Sequence, residues 1–350
     1  MSLRSNNPFD TMSVWDIATF MARLDRYDVE FMGRQQSRED GNEDSELDMH
    51  QDVAHVYPPT LSGDVDLVVC ILLTDHTSWE IWDQWAAGTP GIGFVSHPTP
   101  GQSDIPYSVD NPIPTQWGTS SLIFAELLLY QTATVRFPAA RHFMLVSGDT
   151  VPIHSAGVVL QYYTRFPSST HFLDFSRWTS SRIQKVSGTA PPTLHPYQRC
   201  SGRRPKKMQY HSADQFKTIC RRHVDYLLSE PGHTEVTMLS ECTFRSPGRI
   251  FDASLDEIVI PTILICQFGV SRINNTLFMK VECEPSVPHP ITIRTMSVFR
   301  AFWSREQERT PDCHAMRKIH KSIPGDVLVF LRAEGVLPPV HLATPLSVCP

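Results

Sequence analysis

The stretch Ala253–Cys266, ASLDEIVIPTILIC, sets two carboxylates, Asp256 and Glu257, directly ahead of an apolar run. Ser254 stands three residues before Glu257, the S-x-x-E pattern that opens helices by reciprocal capping. Glu257 is therefore either a cap or a working group. A carboxylate near a helix N-terminus is held ionised by the helix dipole, which suits a general base. Pro261, inside the same segment, predicts a kink or a later helix start. Asp149 follows an apolar strand and Gly148, so its carboxylate either points into a crevice or closes an Asx-turn. Arg294 in PITIRTMSVF and Arg332 in VLVFLRAEG each interrupt or end an apolar strand. A lone arginine there is a surface ion pair. Two of them, with Arg317 and Lys318 nearby, could clamp a pyrophosphate. The basic knot Arg203–Lys207 reads as a solvated loop.

Other chemistries find no support. No G-x-x-x-x-G-K-[ST] or G-x-G-x-x-G is present, and GTPGIG (Gly88–Gly93) precedes a strand rather than a helix. G-x-S-x-G and H-E-x-x-H are also missing. Asp64-Val65-Asp66 has the letters of a D-x-D metal motif but comes before the first strand, so no metal site is expected. The cysteines, Cys70, Cys200, Cys220, Cys242, Cys266, Cys283, Cys313 and Cys349, are scattered, with no C-x-x-C. Cys70 and Cys266 lie in apolar runs, where free buried thiols are common, while the even count also permits disulfides. The compartment stays open on that ground. With 31 basic against 37 acidic residues there is no basic excess to suggest a nucleic-acid partner. No segment approaches the ~20 apolar residues that span a bilayer. The N-terminus lacks the basic-then-apolar form of a signal peptide, so the chain reads as soluble, with no signal peptide or anchor.

The elements that must position these groups begin late. Residues 1–60 read as a partly disordered extension, with a short amphipathic helix at Val14–Phe31 and the acidic tract Ser37–Asp48. VDLVVCILLT (Val65–Thr74) is apolar throughout, as a strand covered on both faces must be. A helix over Ser78–Ala87, a strand over Gly91–Ser96 and a proline-rich loop over Pro98–Pro114 follow. Trp117–Ala133 predicts a buried helix capped by Ser120 or Ser121. A strand over His142–Pro152 breaks at Ser147-Gly148-Asp149, followed by a helix over Ser155–Tyr163 and a strand over His171–Phe175. From Ser212 the residues Phe216, Ile219, Cys220, His223, Val224 and Leu227 make one helical face behind S-x-x-Q. After the acidic-pair helix, the tail predicts short strands, a basic helix at Cys313–Lys321 and a last strand at Val327–Arg332. Strands alternating with helices predict an α/β layered fold with a mostly parallel sheet. Ligands of such folds sit at the carboxyl ends of strands, where Ser147-Gly148-Asp149 and Arg332 are expected.

Four stretches in order carry a resemblance: Trp117-Gly118-Thr119-Ser120, HFMLVSGDTVPIHS (His142–Ser155), LDEIVIPTIL (Leu255–Leu264) and HPITIR (His289–Arg294). Together they resemble the core-2/I-branching β-1,6-N-acetylglucosaminyltransferase family and its plant-type relatives, over roughly residues 65–335. VDLVVCILLT looks like that family's first strand, and Lys206–Phe216 is similar to the segment before one of its helices. The resemblance implies a single GT-A-like domain over 61–350, α/β with a mostly parallel central sheet flanked by helices. It implies an inverting transfer of a sugar, GlcNAc by the resemblance, from a UDP-sugar to a glycan or glycoprotein hydroxyl, with no metal or other cofactor. Glu257 matches the family's catalytic base. Arg294, Arg332 and Lys318 fall on the donor-diphosphate side, and Asp149, Trp117 and Asp256 on the acceptor side. Trp82 and Tyr210 are further sugar-stacking candidates, though core or rim packing is the commoner role of such aromatics, as it is for Trp117. Members of the family are Golgi- or membrane-associated. Phe94-Val95-Ser96-His97-Pro98 departs from the family, lacking the aspartate of its V-H-x-D-like turn. That departure keeps open a non-catalytic glycan- or nucleotide-binding relative of the same fold.

Overall fold

The computed structural model describes residues 65–73, 79–99, 101–102, 105–116, 118–172, 184–187, 211–240, 243–245, 255–269, 273–275, 279–281, 293–309 and 314–339. All belong to the unit Thr60–Pro350. Trp117, Tyr210, Ser254 and most of the segment carrying the basic knot lie outside the described residues.

The chain opens on strand β1 (Leu67–Leu72), whose six residues are all buried, as an apolar run covered on both faces requires. Helix α1 (Trp79–Ala86) and strand β2 (Ile92–His97) follow. Helix α2 (Ser120–Arg136) packs against β1, β2 and strand β3 (His142–Ser147). Next come β4 (Val151–Pro152), α3 (Ala156–Arg165), β5 (Thr170–Phe172), β6 (Gln184–Ser187), β7 (Lys217–Cys220), α4 (Arg221–Leu228), α5 (Glu230–Ser240) and β8 (Thr243–Arg245). A 3-10 turn (Leu255–Glu257) leads into α6 (Val259–Phe268). Strands β9 (Ile273–Asn275) and β10 (Met279–Val281), helix α7 (Met296–Arg309), strand β11 (Ala315–Arg317) and helix α8 (Pro324–Ala333) complete the described elements.

The main sheet runs β2-β1-β3-β7-β5-β9. Only β7 opposes the others, pairing antiparallel with β3 and β5. The architecture is thus α/β, with a mostly parallel central sheet flanked by helices, as the alternation of elements predicts. Leu72, His97 and Ser147 lie in one register row and end their strands together. Because β7 is reversed, the segment 211–216 ahead of it emerges at that same carboxyl edge. A small sheet, β10-β11-β4, continues from the turn after β3. No helix among the described residues is long and apolar enough to cross a membrane.

Several expectations fail locally. The helix from Ser212 is strand β7 followed by α4. All six residues of the supposed face are buried, but Lys217–Cys220 is buried on both sides and supplies the ladder between β3 and β5. The basic helix at Cys313–Lys321 is instead β11, parallel to β10 and antiparallel to β4. The last strand, Val327–Arg332, is helix α8: Pro324 opens it, Asp326 and Arg332 complement its dipole, and Val329 is 63% exposed between buried Val327 and Leu331. Among the described residues Arg294 lies between a single bridge, Ile293 to Ile319, and the start of α7. Thr119, not Ser120 or Ser121, is the N-cap of α2, with no side-chain cap bond.

Candidate active site

The acidic pair lies on the 3-10 turn rather than in the first turn of an α-helix. Helix α6 starts at Val259, so that Pro261 falls in its first turn, where a missing N–H costs nothing. Two backbone bonds fix the turn. Leu255 N donates to Gly118 O at 3.2 Å, and Ala213 N donates to Glu257 O at 2.9 Å. Gly118 has φ +76°, a conformation that favours glycine, and it directly precedes Thr119, the N-cap of α2. Thr262 Oγ1 ties α6 to the same neighbour segment, accepting from His211 N at 2.8 Å and donating to His211 O at 3.0 Å. Glu257 is partly exposed, whereas Asp256 is 1% exposed.

Asp256 backs onto buried charge. Lys217 of β7 donates to both carboxylate oxygens of Glu126 on α2, and Tyr130 donates to Glu126 Oε1 at 2.7 Å. Asp256 Oδ1 is sealed and has no hydrogen-bond partner. Burial pushes its carboxyl up to about 6, against the pull of Lys217.

The second half of the site forms where β3 ends. Asp149 is 4% exposed, and its Oδ1 accepts from the Ser147 hydroxyl. Its carbonyl accepts from Ile319 N at 2.9 Å. Ile293 N in turn donates to Lys318 O at 2.7 Å, and His320 N to Ile293 O at 2.9 Å. These bonds bring the Asp149 turn, Arg317-Lys318 and Arg294 together. Arg294 is exposed and Lys318 is partly so. Arg317 Nε lies 3.7 Å from Asp149 Oδ1, and its Cζ lies 4.2 Å over the Phe216 ring. Phe216 belongs to the segment whose Ala213 holds Glu257. One arc at the carboxyl edge therefore runs from Asp149 through Arg317 and Phe216 to the Glu257 turn.

Among the described residues, no group of His, Cys, Asp or Glu could hold a metal ion. Asp66, of the D-x-D letters, lies at the opposite edge, paired with Arg141 at 2.7 Å. At the carboxyl end of β2, His97 is 3% exposed, and its Nε2 accepts from Ile113 N at 3.1 Å. Burial lowers its pKa to about 4. Arg332 joins α8 to α1, with its Nη2 donating to Gln84 Oε1.

A family model described as Core-2/I-Branching enzyme matches residues 102–322. The chain belongs to the core-2/I-branching enzyme family. The match takes in both halves of the arc, and family membership makes the chain a glycosyltransferase. No curated protein matches it. One solved structure similar to it is that of a glycosyltransferase involved in the glycosylation of the major capsid of PBCV-1. It is 9% identical, with a TM-score of 0.35, over 75% of this chain and 99% of that one. That likeness bears on none of the residues above.

Arg317 and Phe216 were the least visible parts of this candidate site. Arg317 stood out in the sequence only as a neighbour of Lys318, and Phe216 only as part of a supposed helical face. The signal for the buried pair was stronger: Glu126 is a single charge in the apolar run LIFAELLLY.

Proposed function

We propose that this glycosyltransferase moves GlcNAc from UDP-GlcNAc to a hydroxyl of a glycan or glycoprotein, with inversion and without a metal ion. Residues 61–350 form its catalytic domain in this reading. The observation that carries it is the shared carboxyl edge. A partly exposed carboxylate, Glu257, stands on a turn anchored at Gly118 and Ala213. Backbone bonds bring the chain at Arg294 and Lys318 to the Asp149 turn, and their side chains are the cations this reading assigns to the donor.

Glu257 would take the proton of the acceptor hydroxyl as its oxygen attacks the anomeric carbon. The bond from that carbon to the diphosphate breaks on the opposite face, so configuration inverts and UDP leaves with the bonding pair. Arg294 and Lys318 would meet the negative charge that develops on the leaving group, the task a divalent cation performs in other enzymes. Arg332 would join them only by releasing Gln84. Asp149 would receive an acceptor hydroxyl, with Trp117 as a stacking face. Asp256, sealed behind Glu257, would support the turn rather than touch the acceptor.

One observation favours a second reading, a binding protein without transferase activity. The end of β2 offers a neutral, inward-bonded His97, and the sequence there, Phe94-Val95-Ser96-His97-Pro98, has no aspartate of its own. Glu257→Gln tests both readings. The transferase reading expects wild-type turnover with UDP-GlcNAc, a loss of about 100-fold or more in kcat for the variant, and UDP affinity unchanged. A variant that transfers at the wild-type rate removes Glu257 as the base. A wild type that binds UDP and transfers nothing favours the second reading.

A further inference from the structure

We propose that Arg317 is a positioning residue that turns the Asp149 carboxylate into a one-sided receptor for a hydroxyl of the acceptor sugar. The inference rests on the transferase reading above. Both groups that reach Asp149 from the protein act on the same oxygen. The Ser147 hydroxyl donates to Oδ1, and Arg317 Nε faces Oδ1 at 3.7 Å. Oδ2 has no protein partner among the described residues and is not among the sealed polar atoms. A carboxylate held by one oxygen presents the other in a set direction, and an oxygen with open lone pairs accepts hydroxyl hydrogens. The chemistry it recognises is therefore a neutral polyol, not an anion.

Arg317 is built for holding rather than for wandering. Its side chain is 15% exposed and its guanidinium lies 4.2 Å over the Phe216 ring, a stacking that a planar cation makes well and an ammonium does not. Its Nε is buried with no hydrogen-bond partner. Buried donors left unmet are uncommon and call for a reason. A separation of 3.7 Å exceeds a hydrogen bond, and a shift of about 1 Å in Oδ1 would close it. Catalytic-site hydrogen bonds often tighten in this way only when substrate is bound. Through Phe216 the same arginine touches the segment whose Ala213 holds Glu257. The acceptor receptor and the base are thereby held in one geometry, which positional catalysis requires.

The test is transfer kinetics from UDP-GlcNAc to a panel of p-nitrophenyl glycosides, together with UDP affinity by calorimetry, for wild type, R317M, R317K and S147A. R317M is expected to raise the acceptor KM by about 10-fold or more and to leave UDP affinity within about twofold. S147A, which frees the same oxygen, shifts acceptor KM in the same direction, and R317K fails to restore it. Equal losses of UDP and acceptor in R317M would make Arg317 a donor-phosphate ligand and overturn the proposal. So would an unchanged acceptor KM in folded R317M or full function in R317K. Should R317M not fold, an unchanged acceptor KM in S147A overturns it. A wild type that transfers from none of UDP-GlcNAc, UDP-xylose and UDP-glucose instead overturns the transferase reading, and the proposal with it.

Discussion

Lys217 Nζ lies 3.0 and 2.9 Å from the two carboxylate oxygens of Glu126, with both side chains sealed from solvent. The pair joins β7 to α2 and sits behind the turn that carries Asp256 and Glu257. Burial pushes the Glu126 carboxyl up from its ordinary range, opposed by Lys217 and by the Tyr130 hydroxyl. Removing one partner leaves a buried charge with no counter-charge, so Lys217→Met is expected to cost about 3–5 kcal/mol. The double variant Glu126→Leu/Lys217→Met should recover most of that loss, because desolvating an ion pair cancels much of its attraction. Urea unfolding of the two variants checks this; a single variant costing under about 1 kcal/mol would exclude a buried, uncompensated charge.

Asp256 makes the opposite experiment possible. Its carboxyl is raised from 3.8 to about 6 by burial, so the folded state binds its proton more tightly than the unfolded state does. The sign follows: stability from this group is full below about pH 4 and declines as pH rises towards 6, then stays low. Asp256→Asn removes an ionisable group that is costly to bury at neutral pH. It should stabilise the protein by on the order of 2 kcal/mol at pH 8 and by almost nothing at pH 4. Unfolding midpoints of the variant and wild type at the two pH values decide it. A variant less stable than wild type at pH 8 would mean that the ionised carboxylate is held by more than Lys217.

A cluster of histidines works in the other direction. Burial lowers His142 to about 4 and His171 and His314 to about 3. His314 Nδ1 faces the Tyr163 hydroxyl at 3.2 Å, while its Nε2 and that of His171 are sealed without hydrogen bonds. The folded protein keeps these rings neutral, and the unfolded chain protonates them below about pH 6.5. Stability should therefore fall from pH 6.5 down to about 4, by roughly 1 kcal/mol per pH unit for each ring that responds. His314→Asn should flatten that slope by about one ring's share. The check is the slope of unfolding free energy against pH; an equal slope in the variant would remove His314 from the account.

From Val65 to Phe172 the folded part was largely legible in the sequence, and the reasons lie in particular residues. The run LVVCIL is six residues long and rich in β-branched side chains, which marks it as a buried strand, and His142–Ser147 pairs with it in register. The carboxyl-edge position of Asp149 followed from Ser147-Gly148 ending β3. Errors gathered where short elements are decided by distant partners. The three residues Ala315–Arg317 are a strand because β4 and β10 flank them, and no local periodicity records that. Lys217–Cys220 could pass as a helix because a strand buried on both faces fits any period. For α8 the local signal was present in Pro324 and Asp326, but the apolar letters VLVFL outweighed it. The candidate site was legible as single residues only, as Glu257, Asp149, Arg294 and Lys318. Their convergence was not, since it depends on backbone bonds from residue 213 to 257, from 319 to 149 and from 293 to 318.

The last prediction concerns how the leaving group is stabilised. The chain at Arg294 and Lys318 is brought together by the bond from Ile293 N to Lys318 O, and in the proposed mechanism their two cations carry the charge of departing UDP. Transfer from UDP-GlcNAc should then persist in excess EDTA at near its full rate, and added Mg²⁺ or Mn²⁺ should change it little. Arg294→Ala and Lys318→Ala should each lower kcat by about 100-fold, as loss of a preorganised charge-stabilising group does elsewhere. Magnesium should not rescue them, because the proposed mechanism gives no divalent cation a part. Initial rates with and without EDTA, for wild type and both variants, give the answer. Complete loss of activity in EDTA that metal restores would move the task of meeting UDP's charge from these two side chains to a bound cation.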